Sequence, residues 1–592
     1  MKEWIGKNYK WVIIFAVVAF GIFLRSYEFS DWLHFELDQS RDIKVINLAI
    51  EEGPGYLPLL GPRAGGTFLR LGPTFYYLEY LSALVFGDTP AGVAVVVLIF
   101  AIASIPLFYY FCRQYFNQKV ALFLMAVFTL SFYLIAYSRF AWNPNPIPFF
   151  TILIFLSLIK ITDSNERRKN IWAYILSVSM AVAFHLHFLF MIAVAVSVAV
   201  YLVINRPKLK AKTWAISVVI FLLINSPMII NDIKTGGKNF QEFFSAIVNK
   251  SSKKENYLIK KIYRDFNEHS TKYSLILLGN EQFNLTNIKF KKNNWYQPRF
   301  VCEDECRKNL PMEVFGMIIF SGGLWLLIYR FRKEKDEKRR RFLMINLIYS
   351  GVVFIVFIPL ALYLSPRFFI ISAIMPFIFL GLLLELIDSK KWIFKNWIIF
   401  SIVLVIILLN MHSVEKYFTL LKNAPIKPMK VNTDLFVDES AIITLEQQKI
   451  IDRYIESFYN KNGHPVYISS NPRYERSLLY HLDRMGIKQK SFNDGSKVYR
   501  NGNYFLVYIT LSNMKTDTVK FLHKFNIKEV KEFGSLTVFH IIPKENAIDA
   551  QEQVIKKIIS SSDVGNSQRP RRYRWNEIFK AKDFYIEEEI DN

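Results

Sequence analysis

A chain of 592 residues, 52% hydrophobic and 16% aromatic, is too long for a single core and too apolar for an ordinary soluble enzyme. Its 74 basic and 50 acidic residues give a formal charge of +24, which in a soluble protein would suggest nucleic acid. In a membrane protein, basic residues in short loops record which ends stay in the cytoplasm, so no nucleic-acid partner is expected and the composition fits a membrane domain with a soluble part attached.

The first apolar segment, about 11–26, follows a basic leader of Lys2, Lys7 and Lys10, and Leu24, Arg25, Ser26 and Tyr27 stand where a signal peptide would need small residues. It is expected to be a retained anchor. Further spans, expected from apolar runs of roughly 20 residues, lie at 90–112, 119–138, 146–162, 170–186, 187–204, 213–231, 312–329, 342–363, 367–387 and 395–411, about 11 in all. Their short connections alternate in charge. Residues 160–170 hold Lys160, Arg167, Arg168 and Lys169, residues 205–212 hold Arg206, Lys208, Lys210 and Lys212, and residues 329–341 hold eight basic side chains. The intervening turns offer little beyond Arg139 and Arg367. The positive-inside rule then puts the amino terminus in the cytoplasm, at a plasma or inner membrane, and the carboxyl-terminal part outside. Counting the aromatic stretch 73–86 as a crossing would reverse everything after it, so it is read as a short or re-entrant helix of the outer leaflet.

The expected organisation is an α-helical polytopic membrane domain over 1–411, a soluble extracytoplasmic α/β domain over 412–560, and a polar tail over 561–592. The membrane domain carries a first outer loop at 26–72 and a long outer loop at 232–311. In the α/β domain, helical patterns at Leu445–Tyr459, Tyr474–Met485 and near Thr516–Phe525 alternate with strand-like Pro465–Ser469, Tyr504–Ile509 and Leu536–Ile542.

The polar clusters gather on the outer side. Directly after the first span come Glu36, Asp38, Arg41 and Asp42. If 39–51 is helical, as the spacing of Ile43, Ile46, Ala49 and Ile50 suggests, then Asp38, Arg41 and Asp42 stand at i, i+3 and i+4. That sets a carboxylate beside a guanidinium at the membrane surface; a plain helix cap at Asp38 is the alternative. Arg63 and Arg70 precede an aromatic segment with Tyr76 and Tyr77, a setting that suits a lipid phosphate, because the planar guanidinium pairs bidentately with its oxygens, or else a snorkelling anchor. The turn from Tyr137 to Pro148 contains Arg139, Trp142 and Asn143 among three prolines, so its backbone cannot be regular helix and is expected to line a cavity. His185 and His187 flank a break between two spans but lack a third ligand at a suggestive spacing, so no metal and no other cofactor is assigned. Cys302 and Cys306, two of the three cysteines, fit a loop disulfide or free thiols.

In their order and shared sidedness these motifs resemble those of the GT-C superfamily of polytopic glycosyltransferases, in the group that contains the protein O-mannosyltransferases, the lipid A aminoarabinose transferases and related bacterial lipid-sugar transferases. The resemblance covers roughly residues 10–230: the acidic motif after the first span, Gly72-Pro73-x-x-Tyr76-Tyr77, and the outer turn Arg139-x-x-Trp142-Asn143-Pro144. The family's first-loop motif usually reads Asp-Glu. Here it reads Asp38-Gln39, which keeps the first carboxylate and puts in doubt any role needing the pair. The resemblance implies a donor sugar on polyprenyl phosphate or diphosphate and transfer to a lipid, glycan or protein acceptor at the outer face. A phosphate leaves without protonation, so one carboxylate base and a few cations suffice where glycosidases use two carboxyl groups. Asp38 is then expected to take the proton of an acceptor hydroxyl while the sugar inverts, supported by Asp42 and Glu36. Arg41, Arg63, Arg70, Arg139 and Arg367 are expected to hold the donor phosphate. Trp142, Asn143, His185, His187, Tyr76 and Tyr77 complete the expected sugar and acceptor pocket. The competing classes are a lipid-linked polysaccharide ligase, a lipid or glycan transporter or flippase, and a membrane-anchored scaffold. A transporter would place ionisable residues near midmembrane and show inverted repeats; the acidic residues here sit at span ends.

Overall fold

The computed structural model describes residues 2–249, 258–279, 287–291, 294–301, 304–361, 364–429, 441–510, 518–550 and 571–579. In chain order the helices are α1 (Lys2–Ser26), α2 (Leu37–Glu52), α3 (Thr74–Phe86), α4 (Pro90–Cys112), α5 (Gln118–Leu130), α6 (Phe132–Tyr137), α7 (Ile147–Thr162), α8 (Lys169–Leu186), α9 (Phe188–Asn205) and α10 (Ala211–Lys234). They continue with α11 (Lys238–Asn249), α12 (Leu258–Leu278), α13 (Asp304–Lys333), α14 (Glu337–Phe357), α15 (Met375–Asp388), α16 (Lys395–Asn423), α17 (Leu445–Asn462), α18 (Pro472–Arg484) and the short α19 (Trp575–Phe579). The strands are β1 (Asn287–Lys291), β2 (Asn294–Val301), β3 (Val466–Ser470), β4 (Gln489–Ser491), β5 (Asn503–Ile509), β6 (Phe525–Phe533) and β7 (Leu536–Pro543).

Among the described residues, α4, α9, α10, the Val314–Lys333 part of α13, Glu337–Leu360 and α16 are long and apolar enough to cross a membrane, and Trp11–Ser26, α5 and α7 are shorter apolar helices. The polytopic helical architecture is as expected from hydropathy, but two expected spans are not single helices. The stretch 119–138 breaks at Ser131 between α5 and α6. A side chain of α16 satisfies part of the freed backbone, Phe132 N–H donating to Asn410 Oδ1 at 2.8 Å, while the Ser131 hydroxyl ties the break to α12 by donating to the Ile276 carbonyl at 2.7 Å. In hydrocarbon such groups have no water to turn to. The stretch 367–387 opens instead with a 3-10 turn, Pro366–Ile370, and α15 begins only at Met375. The Pro366 carbonyl accepts from the Tyr133 hydroxyl at 2.8 Å, which fixes the turn carrying Arg367 against α6.

Helix α3 has 13 residues, about 20 Å at 1.5 Å per residue, short of a hydrocarbon core of about 30 Å. Near its start the Tyr77 hydroxyl donates to the Pro58 carbonyl of the first loop at 2.9 Å. Just beyond its end Asp88 pairs with Arg484 of the C-terminal domain at 2.6 Å. One end thus meets the first loop and the other the C-terminal domain, so the short helix is held on the side of the bundle that carries both.

The expectation of a long outer loop over 232–311 needs correction, because α12 runs inside the bundle. From Asn267 to Leu278 every α12 residue is buried, and the helix packs against α13, α14, α15 and α16. Its charges pair along the helix itself: Arg264 with Glu268 at 3.0 Å, Lys272 with Glu268 at 3.7 Å, and His269 with Asp265 at 3.4 Å. Such i, i+4 pairing makes a polar segment tolerable in apolar surroundings and hides it from a hydropathy reading. Strands β1 and β2 pair antiparallel beyond it. The side chains of Cys302 and Cys306 lie outside the described residues.

The C-terminal sheet has the order β4-β3-β5-β7-β6, with β3 parallel to β4 and β5, and β7 antiparallel to β5 and β6. Ile451 and Ile455 of α17, Leu478 of α18 and Val466, Phe505, Val507 and Val538 of the strands form its core. The helix expected near Thr516–Phe525 lies partly outside the described residues, and Phe525 begins strand β6 instead. That strand is exposed along nearly its whole length, so it carries no in-out alternation to read.

This domain is seated on the first loop. Leu445 N–H donates to the Leu33 carbonyl at 3.1 Å, Glu446 N–H to the Asp31 carbonyl at 3.0 Å and Gln448 Nε2 to the Phe35 carbonyl at 2.8 Å. Residues 571–579 also return to the membrane domain rather than trailing free: Leu59 N–H donates to the Tyr573 carbonyl at 2.8 Å, and Trp575 Nε1 donates to the Tyr77 hydroxyl at 3.0 Å.

Candidate active site

The site is built on the first turn of α2. Glu36 caps the helix, and its N–H donates to Gln39 Oε1 at 3.1 Å while Gln39 Nε2 donates to the Ala141 carbonyl at 3.0 Å. One side chain must accept and donate at once, which an amide does and a carboxylate cannot. Gln39 is thus a strut that ties α2 to the turn carrying Ala141. Behind the strut, Arg41 joins two acids: Nη1 reaches Asp38 at 2.9 Å and Nε reaches Asp42 at 2.8 Å. The Asp38 side chain is 46% exposed and that of Asp42 only 1%.

Burial raises the Asp42 pKa against the pull of Arg41. Burial alone would lower that of Arg41, but Asp42, Tyr76 and Asp38 hold it well above its ordinary value. Under this pair lies Glu79 of α3, fully buried, with neither carboxylate oxygen hydrogen-bonded among the described residues. Burial, and then the Asp42 charge, push its pKa well up.

Two cavities meet at Asp38. The larger, about 400 Å³, is lined by His34, Glu36, Asp38, Tyr137, Phe140, Trp142 and Arg367 together with Asn471, Pro472 and Arg473 of the C-terminal domain. The smaller, about 230 Å³, is lined by Asp38, Arg41, Arg63, Trp142, Asn143, His187, Arg367 and Phe368, with apolar Leu186, Phe188 and Leu189. Asp38, Trp142 and Arg367 belong to both. In the smaller cavity the Asn143 amide nitrogen is buried and makes no hydrogen bond among the described residues. His187 accepts from Leu189 N–H at 3.2 Å, capping α9. Among the described residues no three His, Cys, Asp or Glu side chains gather as a metal site would require.

Several residues expected in the pocket are elsewhere. Arg139 is buried and directs its guanidinium at the end of α1, Nη1 to the Leu24 and Arg25 carbonyls at 3.2 and 3.0 Å and Nη2 to those of Tyr27 and Glu28 at 2.7 and 3.4 Å. It neutralises carbonyls that a helix end leaves open and lines neither cavity. Arg70 turns its guanidinium to the Gly61 carbonyl at 3.4 Å, and its backbone is held by Asn239. His185 is buried between Asn225, at 2.9 Å from its Nε2, and Thr74; a Cβ on Gly72 would overlap its ring, so the glycine serves this packing. Tyr76 is buried beside Asp42, and Tyr77 is spent on Pro58 and Trp575. Conversely, His34 and Arg473 went unforeseen as pocket residues. His34, whose pKa burial lowers, and Arg473 approach Glu36 at 3.8 and 3.7 Å.

The polytopic bundle with a C-terminal α/β domain seated on its first loop has a GT-C-like fold. Within it, residues 71–230 match the family model described as dolichyl-phosphate-mannose-protein mannosyltransferase. The fold is similar to that of ArnT from Cupriavidus metallidurans in the apo state, at TM-score 0.52 and 11% identity over 90% of this chain and 98% of that one. ArnT bound to undecaprenyl phosphate gives 0.50 at 11% identity with the same coverage. The archaeal oligosaccharyltransferase AglB from Archaeoglobus fulgidus, in complex with an inhibitory peptide and a dolichol-phosphate, gives 0.47 at 12% identity over 86% of this chain and 70% of that one. No curated protein sequence matches the chain.

Proposed function

We propose that the chain is an inverting membrane glycosyltransferase that moves a sugar from a polyprenyl-phosphate carrier to an acceptor on the outer face of the cytoplasmic membrane, with Asp38 as the base. The observation that carries this reading is the place of Asp38 at the junction of two cavities. The smaller holds Arg41, Arg63 and Arg367 around a partly apolar wall, which suits a lipid phosphate. The fold shared with ArnT, which has been seen bound to undecaprenyl phosphate, agrees with such a carrier.

In this reading the donor's phosphate rests among the arginines and the sugar's reacting carbon faces Asp38. An acceptor hydroxyl enters from the larger cavity, gives its proton to Asp38 and attacks the face opposite the phosphate, which inverts that carbon. The carbon–oxygen bond to phosphate breaks, and the electron pair leaves on an oxygen whose charge the guanidinium groups meet. Arg41, held by Asp42 at 2.8 Å, keeps Asp38 oriented through its own contact at 2.9 Å. The outward placement of this face follows from the positive loops on the other side.

The test uses purified protein and lipid-linked sugars extracted from cells lacking it, where the unspent donor accumulates. Asp38→Asn is expected to bind this donor and fail to consume it. Undiminished consumption would remove Asp38 as the base.

A further inference from the structure

The larger cavity has a wall that belongs to neither α2 nor the bundle. Asn471, Pro472 and Arg473 begin α18, and Arg473, with its side chain 28% exposed, reaches across the domain boundary to Glu36 at 3.7 Å. The same cavity is also lined by aromatic rings. The Phe140 and Trp142 rings run nearly parallel, 20° apart with centroids at 6.2 Å, and Tyr137 is inclined by 32° to Trp142.

We propose that this cavity is a carbohydrate subsite completed by the C-terminal domain, and that the acceptor is a sugar hydroxyl of a glycan. The inference rests on the preceding reading insofar as it puts the acceptor on this side of Asp38. A pyranose has an apolar face of C–H groups and a rim of hydroxyls. The aromatic rings take the face. The carboxylate and guanidinium take two neighbouring hydroxyls, Glu36 accepting from one and Arg473 donating to the other, which are charge-assisted bonds. Asn471, whose Oδ1 already accepts from Arg473 N–H at 3.0 Å, offers its amide N–H groups to a third. The volume of about 400 Å³ falls in the roughly 300–1,000 Å³ of small-molecule sites. An extended peptide would be met by main-chain pairing along a strand edge, and neither edge strand of the sheet, β4 or β6, contributes to the lining.

Saturation-transfer NMR on the full chain in lipid nanodiscs tests this, with methyl glycosides of glucose, galactose, mannose and N-acetylglucosamine as probes and a Ser/Thr-containing peptide for comparison. At least one glycoside is expected to bind saturably, and Arg473→Gln and Glu36→Gln to weaken it at least about tenfold. Each variant's thermal transition is recorded alongside, to show that the domain remains folded. The proposal is overturned if no glycoside binds saturably, if Arg473→Gln binds as the parent does, or if the peptide binds in an Arg473-dependent way. Because binding is read without turnover, a failure of Asp38 as base would leave this result to stand or fall alone.

Discussion

Arg41 separates two layers of the same residue types. On its cavity side stand Asp38, Arg63, Arg367 and Trp142; behind it stand Asp42, Tyr76 and Glu79. Asp38 and Asp42 bond the same guanidinium at nearly equal distances, yet one side chain is 46% exposed and the other 1%. The arginines divide likewise: Arg367 faces both cavities, whereas Arg139 spends its donors on four carbonyls at the end of α1. Within each pair, Asp38 with Asp42 and Arg367 with Arg139, the charge is of the same kind. What differs is whether a group has bonding capacity left toward the cavity, and only the front layer does.

That contrast breaks if front-layer changes unfold the protein or back-layer changes leave it untouched. The largest effect is expected from Asp38→Asn: turnover down by about 10²–10⁴-fold with the thermal transition unmoved. Arg139→Ala comes next and shows the reverse pattern. It strands buried carbonyls that a charged donor satisfied, at a cost of roughly 3 kcal/mol, seen as a lower unfolding temperature of the detergent-solubilised protein. Arg139→Lys is expected to restore little of this, because one ammonium lacks the planar fork that spans four acceptors. Smaller again is Gln39→Glu, which restores the family's Asp-Glu motif. A carboxylate cannot donate to the Ala141 carbonyl, so the variant is expected to lose about 1–2 kcal/mol of stability and gain no turnover, with or without added divalent cation.

The sequence carried the front of this site better than its back or its lid. Helical spacing alone brought Asp38, Arg41 and Asp42 together, and charge alternation put the first loop, the 139–145 turn and Arg367 on one face. It also set α3 apart from the spans, and the helix there has only 13 residues. Direction was out of reach: nothing in the neighbourhood of Arg139 distinguishes a guanidinium aimed at carbonyls from one aimed at a cavity. The burial of His185 had one readable sign, Asn225 in an otherwise apolar run, since polar side chains inside spans tend to find each other. Helix α12 stayed hidden because Arg264, Asp265, Glu268, His269 and Lys272 give it the composition of a polar loop while they pair with one another along the helix. Arg473 had no local sign whatever, for it reaches the site only through the seating of the C-terminal domain on the first loop.

The subtlest test of the two layers is Glu79→Gln. Burial and the Asp42 charge push the Glu79 pKa well above its ordinary 4.5, so the folded protein keeps a proton that the unfolded chain releases. Wherever the unfolded state binds fewer protons, stability falls as pH rises. The penalty is therefore absent below about pH 4.5, grows as pH rises above that value, and levels off once the folded-state group itself ionises. Glutamine cannot titrate, and it fills nearly the same space. The variant should melt with the parent at pH 4 and about one or two degrees above it at pH 8, the gap opening steadily between. Turnover should change by no more than about twofold, because Arg41 remains held between Asp42 and Asp38. A pH-independent gap would mean that Glu79 is not holding the proton, and a large loss of turnover would mean that the back layer takes part in the chemistry instead of supporting it.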